Sequence, residues 1–318
     1  MRWKVYFMEA LLLCLLTAGL ASGARGQPLK QAPTESQRPN LLLKLTTTQK
    51  TIQIFGQRIV YYEAGRGKTL VLLANLGWDS HMWAQNLPAL ARNYHVIAVD
   101  LIGTGGSAKP HIDYKMDTWT DFIAEFLRVK GIRRATIMGA VMGGALAVQF
   151  ALDHPEMSEG LVCAASNSGP GHDAAKQSAG GGWPSLAGVK RGLMAALHDK
   201  SLVTAELVRS RFEYRLRADD GYTIERHLSD HRAPYSVQEL SGIRVPALFV
   251  WCRQDQITPL KWGEDFAAAV PGANLAVIDG CGHLPNLEKP GEFNQAIINF
   301  LEKSSGAPDG KIVNAPDR

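Results

Sequence analysis

Short, nearly continuous apolar runs recur along the chain, set apart by Gly, Pro and polar residues. The runs Thr51 to Phe55, Arg58 to Tyr62, Thr69 to Ala74, His95 to Val99, Ala135 to Met138, Gly160 to Cys163, Ala247 to Trp251 and Leu275 to Ile278 predict eight strands. From the third onward they alternate with helical periodicity, as in Asp117 to Val129, Met142 to Asp153 and Glu292 to Glu302. Strands apolar on both faces and alternating with helices predict an α/β fold, a mostly parallel eight-stranded sheet with helices on both sides. The first two runs, joined by Gly56-Gln57, read as an antiparallel hairpin at one edge.

This rhythm breaks between Ser166 and Gly242, where the Gly-rich stretch SAGGGWPS leads into helical patterns at Gly188 to His198 and Ser201 to Leu216. Helices inserted after a strand read as a lid over the carboxyl ends of the sheet, where ligands of open α/β folds bind. The expected organisation is a core over 49–168 and 241–303, a helical lid over 169–240 and a polar tail over 304–318.

Ahead of the core, Arg2 and Lys4 precede an uncharged Leu-rich stretch that ends in Ala21, Ser22, Gly23 and Ala24. That is the layout of a secretory signal over 1–24, followed by a Pro-punctuated linker over 25–48. A secreted or periplasmic protein is expected, membrane-anchored if the segment is not cleaved. Cys14 falls in the signal's apolar region, which leaves Cys163, Cys252 and Cys281 in the remaining chain. Three thiols make no disulfide framework, and none of their spacings suits a metal.

Composition narrows the function. The 318 residues are 46% hydrophobic and 20% charged, which suits a folded globular protein and not a disordered or fibrous one. A net charge of +4 without a run of like charges gives no phosphate-tracking surface, so nucleic acid is not an expected partner and a small molecule is. The stretch Asp100 to Ser107 holds Gly103, Gly105 and Gly106 but opens no helix and lacks the Lys-Ser/Thr of a phosphate loop. No cofactor or metal is expected.

The candidate chemistry lies after the fifth strand. Gly139-Ala140-Val141-Met142-Gly143-Gly144 follows a predicted strand and opens a predicted helix, the setting of a nucleophile elbow, Gly-x-Ser-x-Gly. Over about Thr51 to Leu301 the chain resembles the α/β-hydrolase family. Its SLVTAELVRSRFE and CGHLPNLEKPGEFNQAIINFL segments are most similar to meta-cleavage-product hydrolases, which break carbon–carbon bonds. The resemblance implies that Asp255, in WCRQDQITP, is the acid and His283 the histidine, in the family's order. It places the backbone oxyanion donors at Leu76 and Met142 and aligns Arg211 with a lid arginine that meets acidic substrates, while Asn75, which is not the family's residue there, is expected to add a side-chain donor toward the substrate.

At the nucleophile position stands Val141, whose isopropyl group cannot attack a carbonyl. Nearby positions depart as well: Ala74-Asn75 replaces the family's His-Gly, Ala140 precedes the elbow residue and Leu284 follows the histidine. Two functions stay open, an enzyme using His283 and Asp255 as a general-base pair without a covalent step, and a silent ligand-binding protein. A hydrolase with a displaced nucleophile would draw on Ser80, Ser166 or Ser168, none of which lies on an elbow. Trp78, His81, Met82 and Trp83 either line the pocket or pack, and packing is the favoured reading. Two structural expectations follow: Val141 holds the strained positive φ of an elbow, and Cys252 and Cys281, commonly a small and a buried residue in the family, are free thiols.

Overall fold

The computed structural model describes residues 40–171, 185–217, 222–224 and 234–304, together with the backbone of 313–314. The expected signal segment, residues 25–39 of the expected linker and the Gly-rich stretch 178–184 lie outside the described residues. The strands are β1 (Gln49–Ile54), β2 (Gln57–Ala64), β3 (Thr69–Leu73), β4 (His95–Val99), β5 (Ala135–Ala140), β6 (Ser158–Ala164), β7 (Ala247–Cys252), β8 (Asn274–Ile278) and β9 (Val313–Asn314). They form one sheet in the order β1-β2-β4-β3-β5-β6-β7-β8-β9. The pairs β1/β2 and β2/β4 are antiparallel and the rest are parallel, so the edge hairpin and the parallel body are both as expected.

Eight of the strands match the apolar runs. The ninth, in the expected polar tail, pairs Val313 with Ala276 and Asn314 with Val277. Two residues with no apolar run of their own become a strand only because β8 offers them an open edge. At the other end of the core, residues expected in the linker bring Leu45 into the apolar interior, where its N–H donates to His81 Nδ1 at 3.2 Å.

The described helices are α1 (Leu87–Leu90), α2 (Met116–Val129), α3 (Met142–Asp153), α4 (Leu186–Ala196), α5 (Ala205–Arg215), α6 (Val237–Leu240), α7 (Leu260–Ala269), α8 (Pro285–Glu288) and α9 (Pro290–Ser304). The second helical pattern of the insertion starts later than its periodicity suggested, because Thr204 caps α5 by accepting from Leu207 N at 3.1 Å. Alternate strand residues face opposite layers: Leu70 and Leu72 join the core that includes α9, and Val71 and Leu73 the core that includes α2. Burial on both faces explains why the parallel strands read as unbroken apolar runs.

The expectation of free thiols at Cys252 and Cys281 is overturned. Their Cα atoms are 5.4 Å apart and the sulfurs are bonded, which leaves Cys163 as the free cysteine among the described residues. The cause is register: Cys252 ends β7 directly opposite Ile278 at the end of β8, and the chain then turns back across that end before Cys281. On the opposite side of the sheet, Glu63 of β2 takes Lys50 Nζ at 2.6 Å and Lys130 Nζ at 2.8 Å, with His95 Nε2 at 3.5 Å. Burial alone would raise the Glu63 carboxyl, but hydrogen bonds and charge from Lys130 and Lys50 outweigh it and bring the group down to about 2.

Two predictions follow from these links. Non-reducing peptide mapping will recover a linked 252/281 peptide, and Cys252→Ser/Cys281→Ser will lower unfolding free energy by about 2–4 kcal/mol in denaturant titration, as the 29-residue separation implies. Because the folded value of Glu63 lies below its unfolded one, its contribution is complete above the ordinary carboxylate value and is lost as pH falls toward 2. Thermal midpoints measured from about pH 7 down to about pH 3 will show a shallower acid decline in Glu63→Gln than in the parent.

Candidate active site

β5 runs straight into α3 through Val141, which sits at φ 55° and ψ −109°. The expected strained conformation is therefore present. Its cause is close packing: a Cβ on Gly139 would lie 2.0 Å from the Gly143 carbonyl, and one on Gly143 would lie 2.2 Å from Leu73 O. Only glycines allow the turn to close so tightly against β3. Val141 N donates to Ala164 O at 2.8 Å, and Ala145 N donates back to Val141 O at 3.0 Å, so both backbone groups of the strained residue are paired. A β-branched side chain held at positive φ costs about 1–3 kcal/mol. Val141 is only 7% exposed and belongs to the same apolar cluster as Met82, Leu284 and Leu197.

Asp255 and His283 come together from the loops after β7 and β8. Asp255 Oδ1 accepts from Ile257 N at 2.8 Å and Thr258 N at 2.9 Å, and Oδ2 accepts from Thr258 Oγ1 at 2.7 Å and His283 Nδ1 at 2.9 Å. These partners fix the carboxylate in the plane that meets the imidazole. With Nδ1 donating to the acid, Nε2 is the nitrogen left to accept a proton. Thr258 Oγ1 also lies 3.2 Å from His283 Nδ1, and both members of the pair are buried, their side chains 0% and 7% exposed.

Three successive residues secure the histidine loop. Cys281 is bonded to Cys252, three residues before the acid. Gly282 N donates to Glu288 Oε1 at 2.7 Å, and His283 N donates to Ala196 O at 2.6 Å at the end of α4. The other oxygen of Glu288 accepts from His198 N at 2.7 Å and Asp199 N at 3.3 Å, so one carboxylate ties the inserted helices to the histidine loop. Burial raises the Glu288 carboxyl, against the pull of those backbone N–H groups.

The oxyanion region differs from expectation. Asn75 was expected to donate, but its Oδ1 accepts from Met142 N at 3.4 Å. An N–H pointing out of the elbow can only be met by the oxygen end of a carboxamide, so the side chain faces the donor it was meant to supplement. Leu76 lies in the turn after β3, closed by Trp78 N donating to Asn75 O at 3.0 Å.

Arg211 is brought to the same end of the sheet, but over aromatic rings: its guanidinium lies 4.2 Å from the Trp78 ring centre and 4.6 Å from that of Tyr214. Tyr214 Oη donates to Trp78 O at 2.8 Å and accepts from Gly105 N at 3.2 Å, which pins α5 to the loops after β3 and β4. Burial lowers the Arg211 pKa, as does neighbouring Arg217, while Asp79 and Tyr214 act in the opposite sense. Met82 and Trp83 pack in the core as expected, and Trp78 serves the arginine stack. Among the described residues no candidate serine bonds His283: Ser80 Oγ donates to Asp100 Oδ1 at 2.6 Å, and Ser166 Oγ lies 3.0 Å from Ser168 Oγ. The described residues include no cluster able to hold a metal and no helix long and apolar enough to cross a membrane.

Thr258, Glu288 and Tyr214 were not anticipated. The first two had a local signal, a Thr-Pro shortly after the acid and a Glu five positions after the histidine. Tyr214 had none, since its partners lie more than 100 residues away.

Known proteins are similar to this chain in sequence and in fold. Over 261 residues the chain is 32% identical to a 2-hydroxy-6-oxononadienedioate/2-hydroxy-6-oxononatrienedioate hydrolase of Paraburkholderia phymatum, covering 77% of this chain and 91% of that one. A mutant of the meta-cleavage product hydrolase CumD from Pseudomonas fluorescens IP01, complexed with acetates, matches with a TM-score of 0.72 and 26% identity, over 80% of this chain and 98% of that one. A membrane phospholipase A described as a bacterial virulence factor matches with a TM-score of 0.73 and 25% identity, over 82% of this chain and 87% of that one. The family defined by the alpha/beta hydrolase fold matches residues 68–290, and with this sheet, this elbow and this Asp–His pair the chain belongs to it.

Proposed function

We propose that this chain is an exported enzyme that acts on a small carbonyl compound by general-base chemistry, without a covalent enzyme intermediate. The observation that carries the reading is the Asp255–His283 contact at 2.9 Å, intact and buried at the same end of the sheet as an elbow whose central residue is Val141. A buried acid and imidazole cost desolvation free energy that apolar residues of similar size would avoid. A pair retained with every Asp255 oxygen bonded, next to a position without a nucleophile, therefore argues for a use of its own.

In this reading Asp255 and Thr258 hold the imidazole with Nε2 free, and Nε2 takes a proton from water. The hydroxide attacks the carbonyl carbon, and the oxyanion is met by the Met142 and Leu76 N–H groups. Collapse expels the leaving group, which recovers the proton from the imidazolium. Helices α4 and α5 act as the lid, and Arg211 faces an acidic substrate. The relatives named for 2-hydroxy-6-oxo-dienedioate hydrolysis favour a substrate that joins a ketone to carboxylates. Export is supported by the signal-like residues 1–24 and by a buried disulfide, which persists in oxidising compartments.

A second reading, a silent ligand-binding protein, draws support from Asn75 Oδ1 on Met142 N. The test is a thermal-shift screen of small keto acids and esters followed by turnover assays on the hits. The enzyme reading expects turnover that falls at least 100-fold in His283→Ala while ligand binding stays within a few-fold. Binding retained in both proteins with turnover in neither would establish the binder instead. In Thr258→Val, loss of the hydroxyl from Asp255 Oδ2 is expected to lower kcat about tenfold at unchanged KM and to cost about 1–2 kcal/mol of stability in denaturant titration.

A further inference from the structure

We propose that this chain occupies its own oxyanion hole with Asn75, whose carboxamide oxygen stands where a ligand oxygen would meet the Met142 N–H, so that ligands bind by displacing it and those with a charged oxygen do so best. The inference rests on Met142 N–H being the hole's donor, as in the proposed function, but not on His283 acting as a base.

Two observations converge on it. Asn75 Oδ1 accepts from Met142 N at 3.4 Å, and Met142 is the first residue of α3, where N–H groups have no partner within the helix. The contact is also imposed by the backbone on both sides. The elbow glycine Gly143 is packed so closely on the end of β3 that an added Cβ would lie 2.2 Å from Leu73 O and 2.9 Å from Ala74 O, and Asn75 is the next residue after Ala74. Its backbone is held in turn, with N donating to Met82 Sδ at 3.4 Å and O accepting from Trp78 N at 3.0 Å.

The occupant imitates a substrate. The Asn75 side chain presents a planar amide carbonyl to the elbow N–H, and Val141 fills the adjacent position from which a nucleophile would attack. Its distance shows how it yields. Unstrained N–H···O bonds lie near 2.9–3.0 Å, so a contact at 3.4 Å is a weak one. A neutral ester or ketone oxygen gains little by replacing a neutral amide oxygen. A carboxylate or enolate oxygen makes a shorter, charge-assisted bond roughly twice as strong, and so displaces it. Asn75 thus selects for ligands that bring an anionic oxygen to the elbow.

Acetate is the probe, since a relative of this fold is known in complex with acetates. Titration of the full 15N-labelled chain, followed at the Met142 amide, is expected to show acetate binding at least tenfold more tightly to Asn75→Gly than to the parent. Asn75→Ala, which keeps an ordinary backbone preference, is expected to behave in the same way should the glycine variant fold poorly. Asn75→Asp, equal in size and stronger as an acceptor, is expected to bind acetate more weakly than the parent, a reversal that simple space-filling would not produce. Equal acetate affinity in the parent and the Gly or Ala variants, or shifts that bypass Met142 in all of them, would overturn the proposal. Loss of the general-base reading would show instead in the His283→Ala turnover assay and leave this titration unaffected.

Discussion

The turn from β5 into α3 is the constraint on which the rest of the site depends. Gly139 and Gly143 close on one another and on the end of β3 with no room for a side chain, and the residue between them is driven to positive φ. That geometry does not depend on a serine. It aims the Met142 N–H at the loop after β3 and sets where His283 must stand to be useful. Valine is a poor occupant for such a backbone, and burial of its isopropyl group among apolar neighbours offsets part of the strain. The elbow therefore stands as architecture with an apolar side chain at its centre.

The two halves of the site have been treated differently. On the acid–base side, every Asp255 oxygen is bonded, Thr258 braces the carboxylate and the imidazole, and the loop around His283 is tied down by a disulfide, a carboxylate and the end of α4. On the nucleophile side an apolar group fills the attacking position and a carboxamide meets the elbow amide. The contrast lies between a fully bonded Asp–His pair and an elbow filled by an apolar side chain.

Glu288 and Tyr214 show how the inserted helices are coupled to that site. Glu288 receives backbone N–H groups from both the insertion and the histidine loop, and Tyr214 bridges α5 to the loops after β3 and β4. A displacement of the insertion would be felt at the histidine through backbone contacts, without any change in the side chains of the pair. Arg211 sits in the same joint, stacked on Trp78 and Tyr214, so its orientation is set by aromatic faces and not by an acid.

Much of this was legible in the sequence because it depends on local chemistry. Strands apolar on both faces mark a covered parallel sheet, and Gly139 with Gly143 announces a tight turn and the strain on Val141, since only glycine tolerates such an approach whatever the surrounding fold. Asp255 and His283 were readable through the resemblance to the α/β-hydrolase family, in loops that follow two strands. What depended on register and on side-chain direction was not. The Cys252–Cys281 bridge exists because β7 and β8 end side by side, which a separation of 29 residues does not reveal. β9 exists because β8 has a free edge, and Tyr214 meets the loops after β3 and β4 because α5 folds back over them. Asn75 was recognisable as a departure at its position, yet whether its oxygen or its nitrogen faces the site was decided by the N–H it meets, and that donor comes from a different strand–helix junction 67 residues away.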